Sequence, residues 1–196
     1  AGTGGHYRFM VDFPNDNADI VMRFDRVDST YNPALGFVVQ RGIYRWGGST
    51  AITPRPHNAT LIRRYQFNLL DYNVVWGLDR QLDNASFSVR PFGTSFQSGD
   101  QVEVNVVRRF DAPDTPFQLV SGTVVAPGDY WWNRVELKYQ GSNVRQWAVN
   151  AGASAGQFYD GRRTDLSLSG RLRLQPHVEL LLETERNDVT LPSASF

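Results

Sequence analysis

The sequence predicts an all-β fold built from antiparallel strands that follow one another up and down. Three observations favour this fold class. Apolar and polar residues alternate with a period of two along most of the chain, helical spacing is nearly absent, and polar turns recur between the alternating runs. With 196 residues, of which 41% are hydrophobic, the chain fits a single β domain spanning 1–196.

The candidate strands follow in order from the N-terminus, and between their apolar positions lie mostly polar side chains. The apolar positions are Tyr7, Phe9, Val11 and Phe13, then Ile20, Met22 and Phe24, then Val102, Val104 and Val106, then Trp131, Val135, Leu137 and Tyr139, then Leu166, Leu168, Leu172 and Leu174, and finally Val178, Leu180 and Leu182. The one run at helical spacing, from Leu70 to Leu82, is interrupted by Gly77 and also alternates, so we predict a strand there too.

The connections between these runs differ in length. Tight polar turns are predicted at 14–17, 98–100, 141–143 and 175–177, and longer irregular stretches around 28–36, 46–60, 110–116 and 155–163. Strands of about ten residues, with short turns at one end and longer loops at the other, are typical of outer-membrane β-barrels. We therefore predict an up-and-down β-barrel of the membrane type, or part of one, with about ten strands.

A soluble β-sandwich remains the alternative, because its strands also have one apolar and one polar face. The two folds differ in what covers the apolar side chains, which face lipid in a barrel and pack against a second sheet in a sandwich. The residues that distinguish them are Val135, Leu137, Leu168, Leu172, Leu180 and Leu182. Periodicity alone leaves both folds open.

Composition excludes several function classes. The 20 Lys and Arg balance the 20 Asp and Glu, which leaves no net charge to attract nucleic acid. The absence of cysteine excludes disulfides, thiolate metal sites and cysteine nucleophiles. The three histidines, His6, His57 and His177, lie far apart and lack a second ligand at helical or hairpin spacing. We expect no metal and no cofactor.

Short motifs in a consistent order along the chain resemble a family of uncharacterised bacterial outer-membrane proteins, in which a carbohydrate-binding family-nine-like β-sandwich precedes a large C-terminal β-barrel. The motifs are Pro33 with Gly36-Phe37-Val38 and Arg41-Gly42, Pro54-Arg55-Pro56, Ser98-Gly99-Asp100, Pro116-Phe117, Pro127-Gly128-Asp129-Tyr130, the stretch from Gly156 to Gly161, and the ending from Asn187 to Pro192 and Phe196. The resemblance implies that the chain is an internal segment of the barrel region.

The polar face of the predicted strands carries the candidate functional residues. These are Arg134, Glu136, Lys138, Arg171, Arg173, Glu179 and Glu183. Carboxylates at positions i and i+2 of one strand point the same way, whereas glycoside hydrolysis needs two carboxyl groups that face each other. We therefore predict a ladder of cross-strand ion pairs that lines a polar lumen, and no catalytic role.

One motif suggests catalysis. Residues 152–156 read G-x-S-x-G, and Ser154 is followed by Asp160, Asp165 and His177 in the order of the α/β-hydrolases. That chemistry needs a strand, a strained turn and a helix, and the residues after Ser154 lead into another alternating strand. A serine hydrolase is therefore a distant third hypothesis, and we predict that the chain is not an enzyme.

The resemblance and the pattern together suggest a role at a membrane. We expect a segment of a bacterial outer-membrane barrel that serves solute passage, solute binding or a structural platform. Its partners would be the lipid bilayer or detergent, other chains that complete the barrel, and a small solute or glycan, but no nucleic acid. The alternative is a secreted or periplasmic carbohydrate-binding β-sandwich, in which Trp131, Trp132 or Trp147 would stack on a sugar.

Overall fold

The fold is all-β, with the strands of the described residues lying mostly in one antiparallel sheet. This computed structural model describes residues 3–15, 17–33, 36, 38, 40–120, 123–175, 178–192 and 194–195. Within these ranges no helix is long and apolar enough to cross a bilayer.

The described residues form fourteen strands. They are β1 (His6–Phe13), β2 (Ala18–Val27), β3 (Ile43–Ile52), β4 (Ile62–Tyr65), β5 (Phe67–Gly77), β6 (Leu82–Phe96), β7 (Gln101–Asp111), β8 (Phe117–Val120), β9 (Thr123–Val125), β10 (Tyr130–Gln140), β11 (Trp147–Phe158), β12 (Gly161–Gln175), β13 (Val178–Leu191) and β14 (Ala194–Ser195). The main sheet has twelve strands in the order β1-β2-β3-β5-β6-β7-β10-β11-β12-β13-β14, with β4 paired to β6, and β8 and β9 form a separate hairpin.

The order along the sheet is therefore the order along the chain, which confirms the predicted up-and-down antiparallel fold. The predicted number of about ten strands is slightly low, because the short strands β4 and β14 carry too few residues to give a visible alternation. Among the described residues β1 and β14 end the order of the sheet, so the sheet has two edges and does not close on itself.

The two faces of the sheet differ in polarity, as the alternation predicts. On β10, Val135 and Leu137 lie on one face and Arg134 and Glu136 on the other, and the register carries these faces from strand to strand. We call them the apolar face and the polar face. The apolar face is largely uncovered: the exposed fraction is 52% for Val135, 48% for Leu168 and 53% for Leu180.

Two small buried clusters lie back to back near the end of the sheet that carries the longer loops. On the polar face, Val27, Ile43 and Val75 pack together beneath Tyr31 and Val38. On the apolar face, the cluster is formed by Val74, Ala85 and Phe110 beneath Tyr72, Trp76, Leu82 and Phe87. Because Val74 and Val75 are consecutive strand residues, their side chains project to opposite faces of the sheet. Val75 packs in the cluster on the polar face and Val74 in the cluster on the apolar face, so the two clusters lie on either side of β5.

The predicted connections are partly right. The turns at 14–17, 98–100 and 141–143 lie at one end of the sheet, and the long connections at 28–42 and 112–129 at the other. Of the fourth predicted turn, residues 176 and 177 lie outside the described residues. Two predicted irregular stretches are wrong, because residues 46–52 belong to β3 and residues 155–163 belong to β11, a two-residue turn and β12.

The two wrong stretches are rich in glycine and small residues, which a sequence pattern associates with loops. In the sheet these residues make room for their neighbours. A Cβ atom on Gly48 would lie 2.4 Å from the carbonyl oxygen of Val21 and 3.0 Å from the ring of Tyr72. A Cβ atom on Gly161 would similarly meet the backbone of β13. Small residues here permit close strand packing rather than a loop.

Candidate functional site on the polar face

The register brings the predicted site residues onto one face of the sheet. Arg134, Glu136 and Lys138 alternate along β10, Arg171 and Arg173 lie on β12, and Glu179 and Glu183 lie on β13. Pairing continues this face across β11, where Ser154 stands between Glu136 and Asp165. The polar face therefore spans several strands, and its residues come from segments far apart in sequence.

The predicted ladder of cross-strand ion pairs is only partly formed. Arg173 Nη2 lies 3.4 Å from Glu179 Oε2 across β12 and β13. Lys138 Nζ lies 3.1 Å from Glu136 Oε2 within β10. Arg171 Nη2 donates to the carbonyl oxygen of Asn143, at 3.0 Å, in the turn between β10 and β11. These contacts are exposed, so each contributes little to stability.

The strongest ion pair on this part of the face links β10 to β12. Arg134 Nη2 pairs with Asp165 Oδ2, and Ser154 Oγ donates to the same carboxylate oxygen at 2.9 Å. Arg163 Nε donates to Asp165 Oδ1 at 2.6 Å. The side chain of Arg134 is only 10% exposed. The predicted Arg134 is thus in an ionic cluster whose carboxylate, Asp165, the sequence did not identify as its partner.

A second ionic cluster, at the other end of the sheet, was not predicted. Asp25 on β2 is 2% exposed and accepts from Arg8 Nε at 2.6 Å. Its Oδ1 also lies 3.0 Å from His6 Nε2, and its Oδ2 lies 3.2 Å from Arg23 Nε. Arg45 of β3 is the register partner of Asp25. A single buried carboxylate therefore contacts several basic side chains, because β1 supplies His6 and Arg8 and β2 itself supplies Arg23.

The turns at the short end of the sheet are tied together by Asp100. This carboxylate accepts from Arg145 Nη2 at 2.7 Å, from Ser98 Oγ at 2.7 Å and from the backbone N–H of Ser142 at 2.9 Å. The hydrogen bond from Arg145, followed by those from Ser98 and Ser142, lowers the pKa of Asp100 from 3.8 to about 2. The loop between β10 and β11 is thereby fixed to the turn between β6 and β7.

An aromatic cluster surrounds Tyr159 at the opposite end. Tyr159 occupies the turn between β11 and β12 with φ of +50°, and its hydroxyl donates to Asp111 Oδ2 at 2.7 Å. The ring centroid lies 4.8 Å from that of Trp132 and 5.1 Å from that of Tyr130. Burial, and then the hydrogen bond to Asp111, raises the pKa of Tyr159. The phenol therefore stays neutral and acts as a donor that holds the turn against β7.

An open depression of about 660 Å³ lies over β10 to β13. Its polar lining residues are Lys138, Gln140, Asn150, Ser167, Ser169, Glu183 and Glu185. It brings the predicted residues Lys138 and Glu183 together with amides and hydroxyls. This surface can hydrogen-bond a hydrated solute.

The G-x-S-x-G motif lies within strand β11 rather than at a strand–turn–helix junction. Ser154 pairs with Glu136 and Asp165, and its hydroxyl is bound in the Arg134 cluster. Asp160 lies in the turn after β11, and His177 lies outside the described residues. The nucleophile elbow that a hydrolase needs is absent from residues 147–175.

Two other predictions concern tryptophans and histidines. Trp131 and Trp132 lie on opposite faces, with exposed fractions of 41% and 6%, so they do not form one stacking platform. Across the described part of the chain no group of three or more His, Asp or Glu side chains is arranged to hold a metal ion.

Comparison of the chain with protein-family models, with curated proteins and with solved structures finds no match.

Proposed function

We propose that this chain forms part of the wall of a β-barrel in a bacterial outer membrane, with its apolar face against lipid and its polar face lining a water-filled lumen for a hydrophilic solute. The proposal includes no catalytic step and no cofactor. It agrees with the family resemblance drawn from the sequence motifs. The observation that carries it is a continuous, exposed apolar band that slants across the strands.

The slant is visible along single hydrogen-bonded rows of the apolar face. One row begins with Val106 and Val135, passes through Ala155, and ends with Thr164 and Asp188. The row is therefore apolar in the middle of the sheet and polar at its β13 end. On β12 and β13 the apolar residues lie nearer the short turns, where Leu172 pairs with Leu180 and Gly170 with Leu182.

The slope of the band matches the strand tilt of a barrel. The apolar band occupies Tyr7–Phe13 on β1 and Val178–Leu182 on β13. Between these two strands its centre moves along the strand direction by roughly one residue, or about 3.4 Å, per strand. Neighbouring strands are about 4.8 Å apart. This corresponds to an angle of roughly 35 to 40° between the strands and the normal to the band. Strands of membrane barrels tilt by about 35 to 45°.

The polar face supports the same proposal. It carries both signs of charge, paired in the Asp25 and Asp165 clusters, so buried charges are compensated and the remaining groups can be hydrated. The two sheet edges require partners, because lipid cannot satisfy unpaired backbone groups. In this proposal further strands, from the same polypeptide or from other chains, complete the barrel.

The alternative of a soluble carbohydrate-binding sandwich needs a second sheet over the apolar face. The other sheet of the described residues is the β8–β9 hairpin, and apolar-face residues such as Val135, Leu168 and Leu180 remain exposed. No observation favours that alternative over the barrel.

The test uses the absence of cysteine, which allows one nitroxide label at a chosen position. We would label Leu168→Cys and, separately, Ser169→Cys, because these consecutive residues of β12 lie on opposite faces. After reconstitution into phosphatidylcholine vesicles, collision with lipid-soluble oxygen and with a water-soluble nickel chelate would be measured for each label.

We expect the label at 168 to collide mainly with oxygen and the label at 169 mainly with nickel. The same alternation is expected for Leu137→Cys and Lys138→Cys on β10. A label at 168 that is shielded from both reagents would indicate a second protein layer and support the sandwich. A label at 168 that collides freely with nickel would contradict the membrane proposal.

A further inference from the structure

A row of polar side chains crosses the apolar face on the side of the apolar band that is nearer the long connections, and it meets the edge of the band on β7 to β11. It consists of Arg108, Asn133, Gln157, Arg162 and Thr190, from five consecutive strands of the sheet. We call it the arginine row. All five residues are exposed. The next row toward the short turns contains Val106, Val135 and Ala155 beside Arg108, Asn133 and Gln157, so the arginine row borders apolar surface on β7 to β11. Beside Arg162 and Thr190 that row continues with Thr164 and Asp188, which are polar.

The arginine row is cationic and contains no carboxylate. Arg108 has its guanidinium carbon 4.7 Å from the ring centre of Trp131, which leaves its N–H groups free to bind outward. Arg162 forms no ion pair with a described residue. Asp188 on the same face is a diagonal neighbour of Arg162 and is already bound by Arg186, with Nε 3.0 Å from Oδ2.

The residues between the two arginines are arranged as hydrogen-bond donors. The amide oxygen of Gln157 accepts from the backbone N–H of Asn133 at 3.2 Å and from its side-chain Nδ2 at 3.3 Å. The Nε2 of Gln157 therefore remains available as a donor. Arg108 and Arg162 lie three strand spacings apart, or about 14 Å, with this donor between them.

Oxyanions carrying several acceptor oxygens match this chemistry, because guanidinium groups bind phosphate in a bidentate manner. The adjoining apolar band favours a ligand that has an acyl chain attached to its phosphate. A free anion would gain nothing from Val106 and Val135, whereas a lipid buries its chain against them.

We propose that the arginine row binds the phosphate headgroups of anionic membrane lipids and thereby fixes the depth of the sheet in the bilayer. This inference rests on the proposed function, and it adds the identity of the contacting lipid group and the residues that bind it. Basic residues near an anionic membrane surface each strengthen binding by about fivefold. Two arginines should therefore strengthen binding to an anionic membrane by roughly 25-fold.

The experiment measures partition of the purified full chain into two kinds of vesicle by flotation. One kind contains phosphatidylcholine alone, and the other contains phosphatidylcholine mixed with phosphatidic acid. Arg108→Gln is compared with Arg109→Gln, which makes the same charge change at the next residue but on the polar face. The double variants R108Q/R162Q and R108K/R162K complete the set.

We expect the unsubstituted chain to prefer the vesicles that contain phosphatidic acid. R108Q should lose about fivefold and R108Q/R162Q about 25-fold of that preference, while partition into phosphatidylcholine alone stays unchanged. R109Q should retain the preference, and R108K/R162K should retain part of it, because the charge remains but the bidentate contact of the guanidinium group is lost. Equal losses for R108Q and R109Q would overturn the proposal, since net charge would then explain them.

Two further outcomes separate this inference from the proposed function. If the unsubstituted chain enters both kinds of vesicle equally, the membrane proposal stands and the arginine row does not select anionic lipid phosphate, which overturns this inference. If it enters neither, the membrane proposal itself fails. A last arm adds inorganic phosphate, with sodium chloride of the same ionic strength as its control. Loss of the preference with phosphate alone would identify a free-anion site and overturn lipid as the occupant.

Discussion

Arg134 on β10 forms an ion pair with Asp165 on β12, although a whole strand, β11, lies between them. The side chains meet because, from residue 152 to residue 156, β11 presents only small residues on this face, with Ser154 between two glycines. A Cβ atom on Gly156 would lie 3.0 Å from Cγ of Arg134. The G-x-S-x-G pattern therefore has a structural reason here, which is space for two long side chains to meet.

This arrangement predicts that size at position 154 matters more than its hydroxyl. Ser154→Ala removes the hydrogen bond that Ser154 donates to Asp165 and the one that it accepts from Arg134, and should lower the free energy of unfolding by about 1 to 2 kcal/mol. Ser154→Leu also blocks the contact between Arg134 and Asp165 and should cost about 3 kcal/mol. Urea unfolding would measure both. Ala153→Leu, on the opposite face of β11, is the control, and an equal cost for it would contradict the argument.

The Asp25 cluster predicts a large cost for removing one carboxylate. Asp25→Asn leaves Arg8 and Arg23 close together without a counter-charge, and should lower the free energy of unfolding by about 3 kcal/mol. Asp12→Asn removes the same charge at an exposed position of β1 on the same polar face. It should change the free energy of unfolding by less than about 0.5 kcal/mol. Similar values for the two variants would show that the cluster is not a stabilising unit.

Much of the fold follows from the sequence, because a period of two determines both strand identity and face. The alternation from Trp131 to Tyr139 predicts β10 and assigns Arg134 to the polar face, as observed. The wrong stretches, 46–60 and 155–163, carry small residues whose role depends on partners in other strands, such as Tyr72 beside Gly48. Local pattern contains no information about those partners.

The ionic clusters were harder to predict than the face itself. Asp25 contacts His6 and Arg8 of a neighbouring strand, and the contact depends on the register in which Asp25 opposes Arg8. A shift by one residue would place Asp25 on the other face. The sequence indicates which residues are polar, whereas the register decides which of them pair.

Glycine packing gives a matched pair of stability predictions. Gly48→Ala places a Cβ atom against the carbonyl oxygen of Val21, which cannot move without breaking the ladder, and should cost about 1 to 3 kcal/mol. Gly170→Ala meets nothing within 4 Å and should be neutral or stabilising by up to about 1 kcal/mol. Thermal or urea midpoints would rank the two variants, and the reverse order would contradict the packing at Gly48.

The turn contact of Asp100 predicts a response to acid. Because the folded-state pKa, about 2, lies below the ordinary value of 3.8, the ionised carboxylate stabilises the fold above pH 3.8. This contribution is lost as the pH falls from 3.8 toward 2. The Asp100→Asn variant should therefore have a lower free energy of unfolding than the parent at neutral pH. The two values should approach each other near pH 2. Urea unfolding across that range measures the difference, and a difference that is independent of pH would refute the assignment.

The proposed position of the apolar face in lipid predicts a cost that depends on depth. Leu168 lies within the apolar band of β12, Leu174 lies at its end beside a turn, and Ser169 lies on the opposite face. In a membrane barrel, arginine costs about 2 to 4 kcal/mol near the bilayer midplane and about 0 to 1 kcal/mol near the interface. Leu168→Arg should therefore be much more costly than Leu174→Arg or Ser169→Arg when the vesicle-inserted chain is unfolded.

A sandwich core would give a different result for the same three variants. There Leu168→Arg would be destabilising in aqueous buffer as well, because the cost would come from a protein interior rather than from lipid. The comparison is therefore made both in vesicles and in buffer that contains no lipid or detergent. If the chain remains folded in that buffer and the cost at Leu168 persists, the apolar face is covered by protein. If the cost appears only in the bilayer and falls toward Leu174, lipid covers that face.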